Sequence, residues 1–186
     1  MKLFLVRHGQ TVANVERFHS GQTNVQLTEY GRQEAQQLRP ILAPFRFDRV
    51  YSSDLDRAVE TQQIALPGVE SIQTPLLREY DVGSLAGKPF GTVKSPDGMP
   101  VYHQYGGEST GDVRRRVRKF LDMLEADPCD MVAAFAHNGV LGCTLREVLQ
   151  ADFPGAVAHS NNCAIHVFEF DGIRWRLLAW NYMGKI

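Results

Sequence analysis

Short, uninterrupted apolar runs set between segments of helical periodicity constrain this chain more than any other feature. Leu3 to Val6 and Met131 to Ala136 contain no polar residue. A strand with one wet face alternates in polarity, whereas a strand covered on both faces reads as a continuous apolar run. Two such runs therefore predict a sheet with helices on both sides.

The segments between them fit that prediction. Thr28 is placed to cap a helix running to about Leu42, with Ala35, Leu38 and Ile41 on one side and Pro40 expected to bend or end it. Phe47 to Ser52 reads as a second strand. Asp54 is expected to cap the next helix, which carries Leu55, Ala58, Val59 and Ala65 and stops at Pro67-Gly68. Ser109-Thr110-Gly111-Asp112 reads as a capping box. Behind it, Val113, Val117, Phe120, Leu121 and Leu124 follow at helical spacing. A helix carrying Val140, Leu141, Thr144, Leu145, Val148 and Leu149 is expected to stop near Phe153-Pro154-Gly155. Ala164–Phe170 and Ile173–Trp180 flank Asp171-Gly172, a two-residue hairpin signal. The sum is an α/β chain: a three-layer α/β/α sandwich with a largely parallel sheet closed by a C-terminal hairpin. One domain over residues 1–186 is expected, interrupted at about 83–108 by a lid-like insertion holding six of the sixteen glycines and three of the nine prolines.

Composition narrows the partners. With 20 Lys plus Arg against 21 Asp plus Glu, the net charge of −1 supplies no global field for nucleic acid or anionic membrane. The Arg114-Arg115-Arg116 run with Arg118-Lys119 reads as a solvated helix face with Asp112, Asp122 and Glu125 as partners, not as a nucleic-acid surface. Three cysteines without a Cys-x-x-Cys pair fit a reducing compartment, and the N-terminal apolar run is too short for a signal peptide or a span. A cytoplasmic location is expected, with no membrane partner. No histidine or cysteine spacing suggests a metal site.

In open α/β sheets, ligands bind beyond the carboxyl ends of the strands. The chain places Arg7-His8-Gly9 at the end of one strand, Arg57 in the first helical turn after the second, and His137-Asn138-Gly139 after the run at 131–136. Two histidines and two arginines thus converge from three strand ends. Arginine offers a planar fork to phosphate oxygens. A neutral imidazole is a competent nucleophile toward phosphorus, and a second histidine, kept cationic by a bound dianion, stabilises charge on the transferring group. Glu79, just before the glycine-rich segment, is the candidate acid for the departing oxygen. The remaining histidines, His19, His103, His159 and His166, read as structural or solvated.

These residues carry a family resemblance. Arg7-His8-Gly9-Gln10-Thr11 with Asn14 resembles the signature of the histidine phosphatase superfamily, also called phosphoglycerate mutase-like. Leu27-Thr28 with Gly31 and Ala35, Ser52-Ser53-Asp54-Leu55-Asp56-Arg57-Ala58, Glu79 with Gly83 and Gly87, Gly106-Gly107-Glu108-Ser109, and His137 resemble further family motifs, in order. The sequence departs from the common pattern at Asn24, Ala86 and Asn138.

The resemblance implies that His8 attacks phosphorus and becomes a phosphohistidine. It implies that Arg7, Arg57 and His137 hold the phosphoryl oxygens, with help from Asn14 and backbone N–H groups near Gly139, and that Glu79 serves as acid and then base. Asn14, Ser20, Gly21, Asn138 and Gly139 are the candidate substrate contacts. No metal or other cofactor is implied. The expected partner is a small phosphomonoester, as in the broad-specificity and α-ribazole 5′-phosphate phosphatases of the small bacterial branch. A cofactor-dependent phosphoglycerate mutase is the alternative, and an inactive phosphate-binding module a second. The 83–108 segment has only Lys88 and Lys94 as cations, and only 57 residues separate Glu79 from His137, both of which favour a small phosphatase over a mutase.

Overall fold

The computed structural model describes residues 1–93, 101–151 and 160–182. Its elements are β1 (Lys2–Arg7), α1 (Val12–Glu16), α2 (Glu29–Leu42), β2 (Arg49–Ser53), α3 (Asp56–Ala65), β3 (Ile72–Thr74), α4 (Thr110–Glu125), β4 (Met131–Ala136), α5 (Asn138–Leu149), β5 (Ile165–Phe170) and β6 (Trp175–Tyr182). Single 3₁₀ turns lie at Pro75–Leu77, Gly83–Leu85 and Tyr102–Tyr105. The strands form one sheet in the order β3-β2-β4-β1-β5-β6. The first four in that order are mutually parallel, and β5 runs against both β1 and β6.

Alternation along β1 creates the layers. Leu3 and Leu5 enter a core with Val113, Val117, Phe120 and Leu121 of α4 and Val140 and Leu141 of α5. Phe4 and Val6 enter a second core with Ala35, Leu38 and Leu42 of α2 and Ala65 of α3. Successive side chains of a strand point to opposite faces, so a strand that feeds two cores must be apolar throughout. The three-layer α/β/α sandwich is the observed fold, and the five apolar positions read on α4 are all buried.

Local chemistry corrects several expectations. Pro40 neither ends nor displaces α2, which continues to Leu42. A proline two residues from the end forfeits one hydrogen bond in a turn that is closing anyway. Asp54 does not cap α3. The N-cap is Leu55, without a side-chain bond, and Asp54 accepts two hydrogen bonds from Arg78, at 2.7 and 2.6 Å. The exposed N–H of Asp56 is satisfied instead by Asn24 Oδ1 at 3.1 Å. The hairpin turn sits one residue later than expected: Asp171 N–H donates to Arg174 O, and the Asp171 carboxylate accepts from the N–H groups of Ile173 and Arg174. The central pair is therefore Gly172-Ile173, with Gly172 at φ +95°. Helix α5 ends at Leu149, with Gln150 left-handed; the expected stop at 153–155 lies outside the described residues. Strand β3 carries no readable signal, being three residues long with Ile72 and Gln73 exposed.

Within the expected insertion, residues 83–93 are exposed for much of their length but tied down by main-chain bonds. His19 N–H donates to Lys88 O, Gly87 N–H to His19 O and Phe90 N–H to Arg17 O, at 2.7–2.9 Å. The segment is laced to the loop after α1 and becomes a wall of the site.

Candidate active site

Strand register sets the frame. Arg7 of β1 lies opposite Ala136 of β4, and Ser52 of β2 opposite Phe135. The three strand ends therefore deliver His8, His137 and the start of α3 to one place. Two glycines allow the β1 end to pass under α2. A Cβ on Gly9 would lie 2.4 Å from Gly31 O, and one on Gly31 would lie 2.1 Å from Gln10 O. The same turn is tied by Gly9 N–H to Thr61 Oγ1 at 3.0 Å and by Gln10 N–H to Glu34 Oε2 at 2.8 Å.

His8 is buried, and its Nδ1 lies 2.7 Å from Gly9 O. A carbonyl can only accept, so Nδ1 carries the proton and Nε2 keeps its lone pair. Burial, aided by Arg57 and Arg7, holds the ring well below the ordinary histidine pKa. His137 is packed beside it, with ring centroids 5.1 Å apart. Arg57 Nε donates to His137 Nδ1 at 3.2 Å, which makes His137 the opposite tautomer, a neutral ring with its proton on Nε2. Burial and the Arg57 charge keep its pKa low as well. The expected cationic His137 is conditional on a bound dianion, and taking a second proton would require breaking the bond from Arg57.

Arg57 itself is 1% exposed, and its fork is set by Gly21 O at 2.8 Å and Thr23 O at 3.1 Å. Burial pulls it down to about 10, still well above neutrality. Arg7 donates to Ser160 O, and Ser160 Oγ in turn meets His166 Nε2 at 2.9 Å. Among the described residues, two buried donors, Arg7 Nε and His137 Nε2, have no acceptor. Buried polar groups are nearly always paired, so two such donors beside a free imidazole lone pair suit an anion.

Glu79 is fixed on the other side by the start of α5. Gly139 N–H donates to both of its carboxyl oxygens, at 3.1 and 3.2 Å, and Tyr80 N–H to Oε1 at 2.9 Å. A Cβ on Gly139 would lie 2.1 Å from Glu79 Oε1 and 2.4 Å from the Tyr80 ring. This corrects one expectation: the Gly139 N–H is committed to the acid, not to phosphoryl oxygens. The Glu79 carbonyl is held by Gln22 Nε2 at 3.2 Å and Arg116 at 3.3 Å. Arg116 also grips Leu76 O, Arg78 O and the Glu108 carboxylate. It is therefore not on a solvated face, unlike Arg118, which pairs with Asp122 at 2.7 Å as expected.

Arg7, His8, Arg57 and Glu79 line a cavity of about 320 Å³, together with all five expected substrate contacts, Asn14, Ser20, Gly21, Asn138 and Gly139. His137 lies behind it, against Arg57. Asn14 Oδ1 is occupied by Thr11 N–H and Oγ1, both at 3.0 Å, and by Asn162 Nδ2 at 3.3 Å. That leaves the Asn14 amide nitrogen for a ligand. Asn162, which also donates to His8 O at 3.1 Å, carries no sequence signal of its own. His19 was expected to be structural, but it lines the cavity with Phe90 and Tyr102. His166 is structural, buried and driven down to about 3 by burial. His159 lies outside the described residues. Among the described residues, no group of three or more His, Cys, Asp or Glu side chains is arranged to hold a metal ion, and no helix is long and apolar enough to cross a membrane.

Known proteins resemble the chain over most of its length. The family model of the histidine phosphatase superfamily (branch 1) matches residues 3–183. The adenosylcobalamin/alpha-ribazole phosphatase of Salmonella typhimurium is 32% identical over 162 residues, covering 80% of each chain. A probable phosphoglycerate mutase of Cronobacter sakazakii is 28% identical, covering 97% of this chain and 90% of its own. The solved mycobacterial glucosyl-3-phosphoglycerate phosphatase complexed with VO3 superposes with a TM-score of 0.85 at 27% identity, covering 97% of this chain and 98% of the other.

Proposed function

The chain belongs to the histidine phosphatase superfamily, and from that premise we propose that it hydrolyses a small phosphomonoester through a phosphohistidine on His8. The observation that carries the proposal is the tautomer pair. Gly9 O accepts the hydrogen bond from His8 Nδ1–H and leaves Nε2 as a nucleophile, while Arg57 Nε–H fixes His137 with its proton on Nε2.

In the first step, the His8 Nε2 lone pair forms a bond to phosphorus as the ester P–O bond breaks. Glu79 gives its proton to the departing alkoxide. In the second step, water forms the new P–O bond and passes a proton to Glu79 as the N–P bond breaks, releasing inorganic phosphate and neutral His8. Arg7, Arg57 and the His137 Nε2–H share the charge on the three equatorial oxygens. Phosphoryl transfer of this kind depends on positioning and electrostatics, which is what a site of fixed donors provides. Hydrolysis is favoured over mutase chemistry because, among the described residues, Arg7 and Arg57 are the only cationic side chains lining the cavity. A mutase needs further charge to hold a doubly phosphorylated intermediate.

The test is to incubate the protein with a ³²P-labelled phosphomonoester and examine the quenched enzyme. An acid-labile, base-stable label that is absent in His8→Ala is expected. Turnover that survives His8→Ala would reject the nucleophile.

A further inference from the structure

We propose that the alcohol half of the substrate carries an uncharged aromatic ring, received by the wall that His19, Phe90 and Tyr102 build opposite the phosphoryl end. This rests on the phosphatase reading and names its substrate class.

Three observations point to it. First, the wall is aromatic and pre-assembled. The His19 ring packs edge-on against Phe90 (centroids 4.9 Å, interplanar angle 72°) and Tyr102 (5.6 Å, 77°). Tyr102 packs in the same manner on Tyr80 (5.5 Å, 63°). Edge-to-face sets of this kind leave ring faces and edges open to a further ring. The backbone bonds of His19 to Lys88 and Gly87 hold the wall in place. Second, Phe90 is 45% exposed although it borders the cavity. An exposed aromatic side chain beside a polar site is what a ligand's apolar half would cover.

Third, the wall is neutral. His19 is held below its ordinary pKa by burial, the Tyr80 hydroxyl is turned inward to Thr110 and Cys143, and Val82 completes the surface. Both lining arginines are used at the phosphoryl end. A leaving group with its own carboxylate or second phosphate would therefore find no further cationic side chain among the described residues that line the cavity. A polyhydroxylated one would exchange water for ring edges, losing hydrogen bonds.

The test compares four phosphomonoesters that all release a poor alkoxide leaving group: 2-phenylethyl phosphate, propyl phosphate, glycerol 3-phosphate and 3-phosphoglycerate. Expected is a kcat/KM for the phenylethyl ester at least about 10-fold above the other three, carried mainly by KM, because one well-packed ring contact is worth roughly that factor. Phe90→Ala and His19→Ala should each bring the phenylethyl-to-propyl ratio back toward one. Equal kcat/KM values, a preference for 3-phosphoglycerate, or a ratio unmoved by both substitutions would overturn the inference.

A second measurement separates this inference from the reading beneath it. Calorimetric binding of 2-phenylethyl phosphate and of inorganic phosphate to the His8→Ala protein needs no turnover. Tighter binding of the ester by about 10-fold supports the ring subsite even if hydrolysis is absent. Equal binding rejects the subsite even if a phosphohistidine forms.

Discussion

At the phosphoryl end of the cavity, His8, Arg57 and His137 are 5%, 1% and 0% exposed, whereas at the opposite wall Phe90 is 45% exposed. The first end is made at the termini of three parallel strands, and Arg7, His8, Arg57 and His137 are each held there by a backbone carbonyl or by another site residue. The second is made from two loops, 17–21 and 87–90, stitched by main-chain bonds, with Tyr102 of the last 3₁₀ turn packed on them. Side chains of the first end are committed by bonds that any substitution breaks. Those of the second meet through ring packing, His19 on Phe90 and on Tyr102. On the proposed reading, the reaction is fixed in the sheet, and the choice of substrate is left to the two loops.

Arg57→Lys attacks that contrast most directly. A lysine keeps the charge but loses the planar fork, and with it the bonds to Gly21 O, Thr23 O and His137 Nδ1. His137 is then free to take either tautomer. Removing a single preorganised donor typically costs about 10²–10³ in kcat, and this substitution removes a donor set and a tautomer lock, so a loss of about 10³ in kcat/KM is expected. It should appear equally for every phosphomonoester tested. A loss below about 10-fold, or one that depends on the alcohol, would erase the distinction between the two ends.

Gly139→Ala should be weaker and selective. Its Cβ would clash with Glu79 Oε1 and with the Tyr80 ring, displacing the acid without meeting a histidine or an arginine. The general acid matters for poor leaving groups, so alkyl phosphates should lose about 10² in kcat and aryl phosphates far less. Glu79→Gln should reproduce that pattern. Equal losses for alkyl and aryl esters in both variants would show that Glu79 does not protonate the leaving oxygen.

The same contrast explains what could be read in the sequence. Leu3–Val6 and Met131–Ala136 were legible because burial on both faces leaves a local mark, and the residues that follow such runs must lie at the ligand-binding edge of the sheet. Arg7, His8, Arg57 and His137 were legible for that reason. Arg116 was not, because a helical arginine in a basic run resembles a solvated one until its carbonyl partners at Leu76, Arg78 and Glu79 are known. His19 was not, because loops joined across some seventy residues by main-chain bonds follow no periodicity. Asn24, a departure from the family pattern, gains its meaning only from the α3 N–H it accepts.

The smallest effect expected on catalysis comes from His166, which lies under the phosphoryl end and reaches Arg7 only through Ser160. Asn181 N–H donates to its Nδ1 at 3.3 Å, so its proton is on Nε2, facing Ser160 Oγ. Its pKa of about 3 in the folded chain, against about 6.5 unfolded, means that the unfolded state binds the extra proton first. Its neutral burial costs no stability above pH 6.5. Stability is lost progressively as pH falls from 6.5 toward 3, by about 2 kcal/mol between pH 7 and 5. His166→Gln, which keeps an acceptor and a donor but cannot titrate, should shrink the pH 7-to-5 drop in unfolding free energy by that amount. At pH 7.5 its kcat should stay within about 3-fold of the parent, since Ser160 is still held. Chemical denaturation at the two pH values measures the first effect and steady-state kinetics the second. An unchanged drop would mean that His166 is protonated in the folded chain. A large kcat loss would make the support beneath Arg7 part of the phosphoryl end, and the boundary between fixed chemistry and its scaffold would lie one layer deeper than Arg7.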